Sequence, residues 1–207
     1  MKKIIALAAV AAACSTSAFA QVSNFTGPSA GVNMSAVSTT TKLSPDAQIA
    51  LDGIGQQSFG TSLQAAYGFP LSNDTVVSVG GTYALTKDKA GNFEIDTGTQ
   101  VQFKVKNQMS LYVEPGYLVS NTTLAYGKVS YESAKLAGES NVADANGSQK
   151  VNGFGLGFGI RTMLDKNLSL QAEVKQVKYG TENFSDDGTV KFKTSATVGT
   201  IGLGYKF

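Results

Sequence analysis

Much of the chain alternates apolar with small or polar residues at a period of two. Phe59, Thr61, Leu63, Ala65, Tyr67 and Phe69 share one parity, and Ser62, Gln64, Ala66 and Gly68 share the other. Successive side chains of a strand point to opposite faces, so this is a strand with one greasy face and one thin, polar face. The pattern recurs over Val77–Leu85, Glu94–Val105, Met109–Val119, Val151–Leu164, Leu168–Val174 and Thr197–Phe207. An opening strand around Ala30, Val32, Met34 and Ala36 brings the predicted count to eight. Within Val151–Leu164, Phe154, Leu156, Phe158 and Ile160 alternate with Gly153, Gly155, Gly157 and Gly159, so the inner side of that strand must be thin. It is not a dinucleotide fingerprint, because the third glycine of G-x-G-x-x-G would fall on Phe158. Pro115 cannot donate to a ladder, which predicts a bulge or a locally unpaired position there.

Compact turns are expected at Pro70–Asp74, Lys106–Gln108 and Asp165–Asn167, and polar loops at Thr40–Gln57, Lys87–Asn92, Thr122–Lys150 and Thr181–Thr189, with Tyr126, Val129, Tyr131 and Leu136 leaving open that part of Thr122–Lys150 is extended strand. The turns echo one another in Asn107-Gln-Met-Ser-Leu111, Asn167-Leu-Ser-Leu170 and, more loosely, Asn73-Asp-Thr-Val-Val77, as a hairpin repeated around a ring would. Parity slips at Val177 and Tyr179, and again at Val190 and Phe192. That predicts a bulge or a hairpin rising out of the bilayer.

The final strand ends in Ile201, Leu203, Tyr205 and Phe207 on one face, with Thr200, Gly202, Gly204 and Lys206 on the other. It resembles the closing strand of the small bacterial outer-membrane β-barrels of the opacity-protein, OmpX and OmpA-barrel type. Phe25-Thr-Gly27 with Gly31 resembles the opening strand of the same family, with Pro28 and Ser29 where aromatics are common. The resemblance implies an all-β, eight-stranded, antiparallel up-and-down transmembrane barrel with short periplasmic turns and longer extracellular loops. It also implies that Ile201, Leu203, Tyr205 and Phe207 form the signal read by the barrel-assembly machinery.

A secreted lipocalin-like barrel is the competing reading. The decision rests on the non-apolar face, which is Gly, Ser, Thr and Gln with scattered charges. That is too little to coat eight strands in water, yet it fits the narrow, side-chain-filled interior of an eight-stranded barrel. In lipid every backbone group must be paired, which strands achieve only by closing. Charged residues are 15% of the chain, against about 25% in an ordinary soluble domain.

Residues 1–20 read as a cleaved signal peptide, with Lys2 and Lys3, an apolar run from Ile4 to Ala13, and Ala18-Phe-Ala20 before Gln21. Residues 21–207 then form a single barrel domain. Ala12-Ala13-Cys14-Ser15 also loosely resembles a lipoprotein processing box, with Ala11 where Leu is usual. Cleavage after Ala20 would leave no cysteine, and would leave acidic and basic residues equal at 15 each. No basic tract suits a nucleic acid.

Histidine is absent. A Ser–His or Cys–His nucleophile is therefore excluded, and the expectation is a protein that is not an enzyme and carries no cofactor. Asp46, Asp52, Asp144, Asp186 and Asp187 fall in loops and read as solvated charges rather than metal ligands. Glu114, Arg161 and Glu173 carry lumen parity on three predicted strands, and Lys104, Lys175 and Lys206 are further candidates. A charge in so narrow an interior must be paired, so Arg161 is expected to bridge Glu114 and Glu173, the alternative being a water-solvated charge near one barrel mouth. The resemblance points the same way, since OmpA-type barrels carry lumen ion pairs.

By that resemblance, the chain is a surface-interaction protein of the outer membrane, monomeric, in contact with lipid and lipopolysaccharide. It would meet a host or surface ligand through its loops, after periplasmic chaperones and the assembly machinery have delivered it. The alternative function is a narrow porin-like channel or a conduit for small solutes or lipid.

Overall fold

The computed structural model describes residues 22–43, 56–86, 88–95, 99–140, 147–180, 182–183 and 191–207. Side chains are described within 22–39, 57–86, 107–135, 150–180 and 195–207. The proposed leader, the five loop aspartates named above and most of the loop at Thr40–Gln57 lie outside the described residues.

The chain forms a closed, eight-stranded, all-antiparallel up-and-down barrel. The strands are β1 (Gly27–Leu43), β2 (Gln56–Pro70), β3 (Thr75–Ala84, resuming as Asp88–Ile95) and β4 (Thr99–Ser120). They continue as β5 (Thr123–Ser140), β6 (Gly147–Met163), β7 (Leu168–Tyr179, continued by Glu182–Asn183) and β8 (Lys191–Lys206). Each pairs with its sequence neighbours, and β1 pairs with β8 from Ser29↔Lys206 to Leu43↔Phe192, so the sheet has no edge. Closure leaves every strand with two partners, which is what a strand crossing lipid requires.

The two faces separate as the alternation predicts. Val32, Leu63, Val79, Leu111, Leu156, Phe158, Ile201 and Leu203 point outward and are exposed. Asn33, Ser78, Ser110, Ser169 and Gln171 are buried in the lumen. Short turns close one end at residues 71–74, 121–122 and 164–167, held by Leu71 N–H to Thr75 O (2.9 Å), Met163 N–H to Thr122 O (2.7 Å) and Leu164 N–H to Leu168 O (2.8 Å). A 3-10 turn at Val22–Phe25 folds under the same end. There Phe25 enters the barrel and packs with Val76, Leu118, Leu124 and Met163.

Three expectations fail, each for a physical reason. Lys106–Gln108 is not a turn: β4 runs straight through it as a bulge between Lys106 and Met109, with Asn107 at φ 52°. Asparagine tolerates this left-handed conformation, and its turn-like signature marks the bulge. Because a bulge adds one residue, parity cannot be carried across it.

Most of Thr122–Lys150 is not loop but β5 and the start of β6. Its outward face begins Ala125-x-Gly127, while Leu124 and Tyr126 fill the lumen, so the usual greasy-out pattern is inverted. The two errors cancel, and the count of eight survives with different members. Residues Asp88–Ile95, expected as the loop Lys87–Asn92 and the start of one strand Glu94–Val105, instead pair antiparallel with Thr99–Val105 through an irregularity at Lys89/Gly91, so Glu94 and Val105 belong to different strands.

At Val177 there is no bulge. β7 alternates without interruption, and Val177 joins Ala196 and Val198 in an apolar layer inside the barrel. The lumen changes composition there, not the strand its direction. Pro115 behaves as expected: register is constant from Val113↔Val129 to Gly116↔Tyr126, with no pairing at Pro115 on that side.

Asn107→Val should lower stability by about 1–2 kcal/mol, the cost of a β-branched residue in the left-handed region, while Asn107→Gly stays close to wild type. Urea unfolding in lipid vesicles measures both, and equal midpoints would remove the bulge from the account.

Candidate functional site: the charged lumen

Four strands, β4 to β7, carry ionisable side chains inward, and their register brings these together. Glu114 on β4 is flanked by Lys128 on β5, and Arg161 on β6 lies directly opposite Gln171 on β7. Just above the apolar plug, Arg161 Nε and Nη2 donate to Gln171 Oε1 at 3.2 and 3.1 Å. Gln171 Nε2 donates in turn to Asn33 Oδ1 (2.8 Å) and Gln64 Oε1 (2.9 Å), and Asn33 Nδ2 donates to Gln64 at 3.0 Å. This amide chain crosses the whole lumen from β6 to β2.

Arg161 Nη2 also donates to Glu114 Oε1 at 2.8 Å. The other carboxylate oxygen of Glu114 lies 3.3 Å from Lys128 Nζ. Lys128 donates as well to Glu173 Oε2, which receives Tyr126 Oη at 3.1 Å. Lys128 therefore links Glu114 and Glu173, the position expected for Arg161. Arg161 keeps Glu114 and takes Gln171, the residue directly across its own rung, in place of Glu173. One layer up, Lys175 Nζ donates to Glu132 Oε1 at 2.6 Å, and Ser130 Oγ donates to the same oxygen at 2.7 Å. Among the described residues, three carboxylates and three cations thus cancel inside the barrel.

Aromatic rings wall the cations. Lys128 Nζ lies 4.3 Å from the ring centre of Tyr112 and 5.5 Å from that of Tyr126, and Arg161 Cζ lies 5.2 Å from that of Tyr126. Ammonium and guanidinium groups are drawn to ring faces at these distances, more so where water is excluded. Both rings find room because a glycine stands opposite. A Cβ on Gly159 would sit 2.6 Å from the Tyr126 hydroxyl, and one on Gly80 would sit 2.5 Å from that of Tyr112. The glycine run of β6 is the socket for side chains arriving from β5 and β7.

The side chain of Lys104 lies outside the described residues; its backbone pairs with Lys89 and Ala137. Lys206 stays out of the network, half-buried at the closed end, where its ammonium donates to Ser23 O. Sequence reasoning missed Lys128, Glu132, Tyr112 and Tyr126. Three of them sit in β5, and treating 123–134 as a strand with even residues inward would have found them. Ile201, Leu203, Tyr205 and Phe207 all lie on the exposed outer face, with the Tyr205 and Phe207 rings edge to face at 5.3 Å.

Lys128→Met leaves Glu114 and Glu173 under-compensated and should cost about 3–5 kcal/mol, as breaking a buried pair does. Adding Glu173→Gln should recover part of the loss, with a coupling of roughly 0.5–3 kcal/mol. The same cycle on Arg161 and Glu173 should couple more weakly. Urea unfolding in vesicles reads all of these, and a stronger Arg161–Glu173 coupling would overturn the assignment of Lys128 as the link.

No curated protein sequence matches the chain. Among solved structures, Neisserial surface protein A is 17% identical, with a TM-score of 0.56 over 87% of this chain and 99% of that one. Ail, the attachment invasion locus protein of Yersinia pestis, is 16% identical, with a TM-score of 0.51 over 87% of this chain and 99% of that one. At such identities these likenesses are of fold. The family model described as "Outer membrane protein beta-barrel domain" matches residues 6–207. With the lipid-facing apolar band and the closed sheet, that match places the protein in the bacterial outer membrane, and the chain belongs to the outer membrane protein beta-barrel domain family.

Proposed function

We propose that the protein is a closed, non-conducting barrel that serves as a structural and surface-interaction module, presenting its outer end to an external ligand. The observation that carries this reading is the double obstruction of the lumen. An apolar plug of Phe25, Val76, Leu118, Leu124 and Met163 fills the turn end. Above it the layer of Glu114, Lys128, Arg161 and Glu173 fills the middle. With the interior occupied, contact with anything beyond lipid falls to the strand ends and the connections opposite the short turns, the side that faces outward in outer-membrane barrels.

A structure of Ail holds the heparin analogue sucrose octasulfate, which is a fact about that protein. It lends support here only to the idea that this kind of scaffold can present a ligand surface. The missing histidine supports a non-catalytic role. On this reading the chain acts as a monomer, delivered by periplasmic chaperones. Ile201, Leu203, Tyr205 and Phe207, on the lipid face of the closing strand, act as the signal to the assembly machinery.

A narrow solute conduit is the second reading. It is favoured by a cavity of about 70 Å³ beside the charged layer, lined in part by Ser62, Gln64, Thr82 and Thr200. That volume holds a few waters, not a hydrated ion pathway.

Pure protein in a planar bilayer should give no conductance, or small and erratic events. A stable ohmic channel would reverse the order of the two readings.

A further inference from the structure

The outer surface of β5, β6 and β7 carries a group of like charges, Lys135, Lys150 and Lys178. Lys135 on β5 is the cross-strand partner of Lys106 on β4 and also of Lys150 on β6. Lys178 on β7 pairs with Phe154 of β6, four residues from Lys150. The side chains of Lys135, Lys150 and Lys178 are exposed, and none takes part in an ion pair among the described residues. Lys106 enters the argument by its register alone. Cross-strand partners share one face at close range, so adjacent like charges repel and weaken the sheet.

The rung sits at a defined height. Just inside it, Tyr131 and Phe154 are paired across the strands, both exposed, their rings edge to face at 5.5 Å. From Phe154 of β6 to Leu164, the first residue of the turn that follows it, the outward residues span roughly 25 Å along the normal once strand rise and tilt are allowed for, the height of an outer-membrane apolar band. Lys150 lies four residues beyond Phe154, roughly 10 Å further by the same reckoning. The short turns are at the far end, so this is the outer leaflet. Lysine stems reach along such a boundary while their ammonium groups seek headgroup oxygens.

We propose that Lys106, Lys135, Lys150 and Lys178 form a binding site for the phosphate of an outer-leaflet glycolipid headgroup, with its acyl chains lying on the Tyr131–Phe154 side. Phosphate oxygens lodged over the rung accept charge-assisted bonds from several ammonium groups at once and turn mutual repulsion into shared attraction. Basic clusters at a membrane surface draw anionic headgroups in this way. The site is independent of whether the loops bind an external ligand.

The test uses the full-length barrel refolded in zwitterionic detergent with EDTA. The urea midpoint is read with bisphosphorylated lipid A, with lipid A stripped of phosphate, or with inorganic pyrophosphate. The wild-type midpoint should rise with bisphosphorylated lipid A alone. Without lipid, Lys135→Gln/Lys150→Gln should be at least as stable as wild type, because a repulsion is gone. Its affinity for bisphosphorylated lipid A, by native mass spectrometry, should fall about tenfold or more, while Lys166→Gln at the opposite end binds like wild type. Equal affinity in the double variant, or an equal rise with dephosphorylated lipid A, would overturn the proposal. So would an equal rise with pyrophosphate, which would make the site one for soluble anions. A double variant that fails to fold would overturn the like-charge argument itself.

Discussion

A charge inside a tube eight strands wide must be neutralised by its neighbours, and the interior of this protein is arranged around that requirement. Moving an ion out of water costs several kcal/mol even after relaxation, and attraction recovers this only with good geometry and the remaining hydrogen bonds made. Lys128 supplies the opposite charge from β5, reaching Glu114 on one side and Glu173 on the other between the faces of Tyr112 and Tyr126. Arg161 extends the layer through Gln171 to Asn33 and Gln64, so charge on one half of the barrel is tied to amides on the other.

This arrangement is inseparable from the thinness of the opposite walls. The glycines of β6 alternate with the bulkiest lipid-facing residues because the same strand must be thick outside and bare inside. Gly159 admits Tyr126, and Gly155 and Gly157 lie against Lys175. Outside, the alternation supplies a hydrocarbon-facing surface at Leu156, Phe158 and Ile201. The barrel therefore resembles a soluble protein turned inside out, with its large apolar side chains facing lipid and its charges paired within.

The fold was legible because period-two alternation is unambiguous wherever outward residues are large and inward ones small. It failed in β5, where Leu124 and Tyr126 face inward while Ala125 and Gly127 face outward, so the hydrophobic signal has the wrong sign. It failed again at Lys106–Gln108, because asparagine signals a left-handed residue without saying whether the chain turns or bulges. Glu114, Arg161 and Glu173 could be placed in the lumen by parity alone. Which cation meets which carboxylate could not, since that depends on which strands are neighbours, and Lys128 lies in β5, where the hydrophobic alternation is reversed. The lysine rung was invisible for the same reason: Lys106, Lys135 and Lys150 become neighbours only through register.

The central claim is that the apolar parity meets acyl chains while the polar parity is sealed within. The chain has no tryptophan, so a single introduced indole reports without background. In vesicles of lipids brominated along the acyl chain, Phe158→Trp should emit in the blue and be strongly quenched, whereas Tyr112→Trp should be unquenched. Quenching of the indole at 112 with none at 158 would contradict the account at its root.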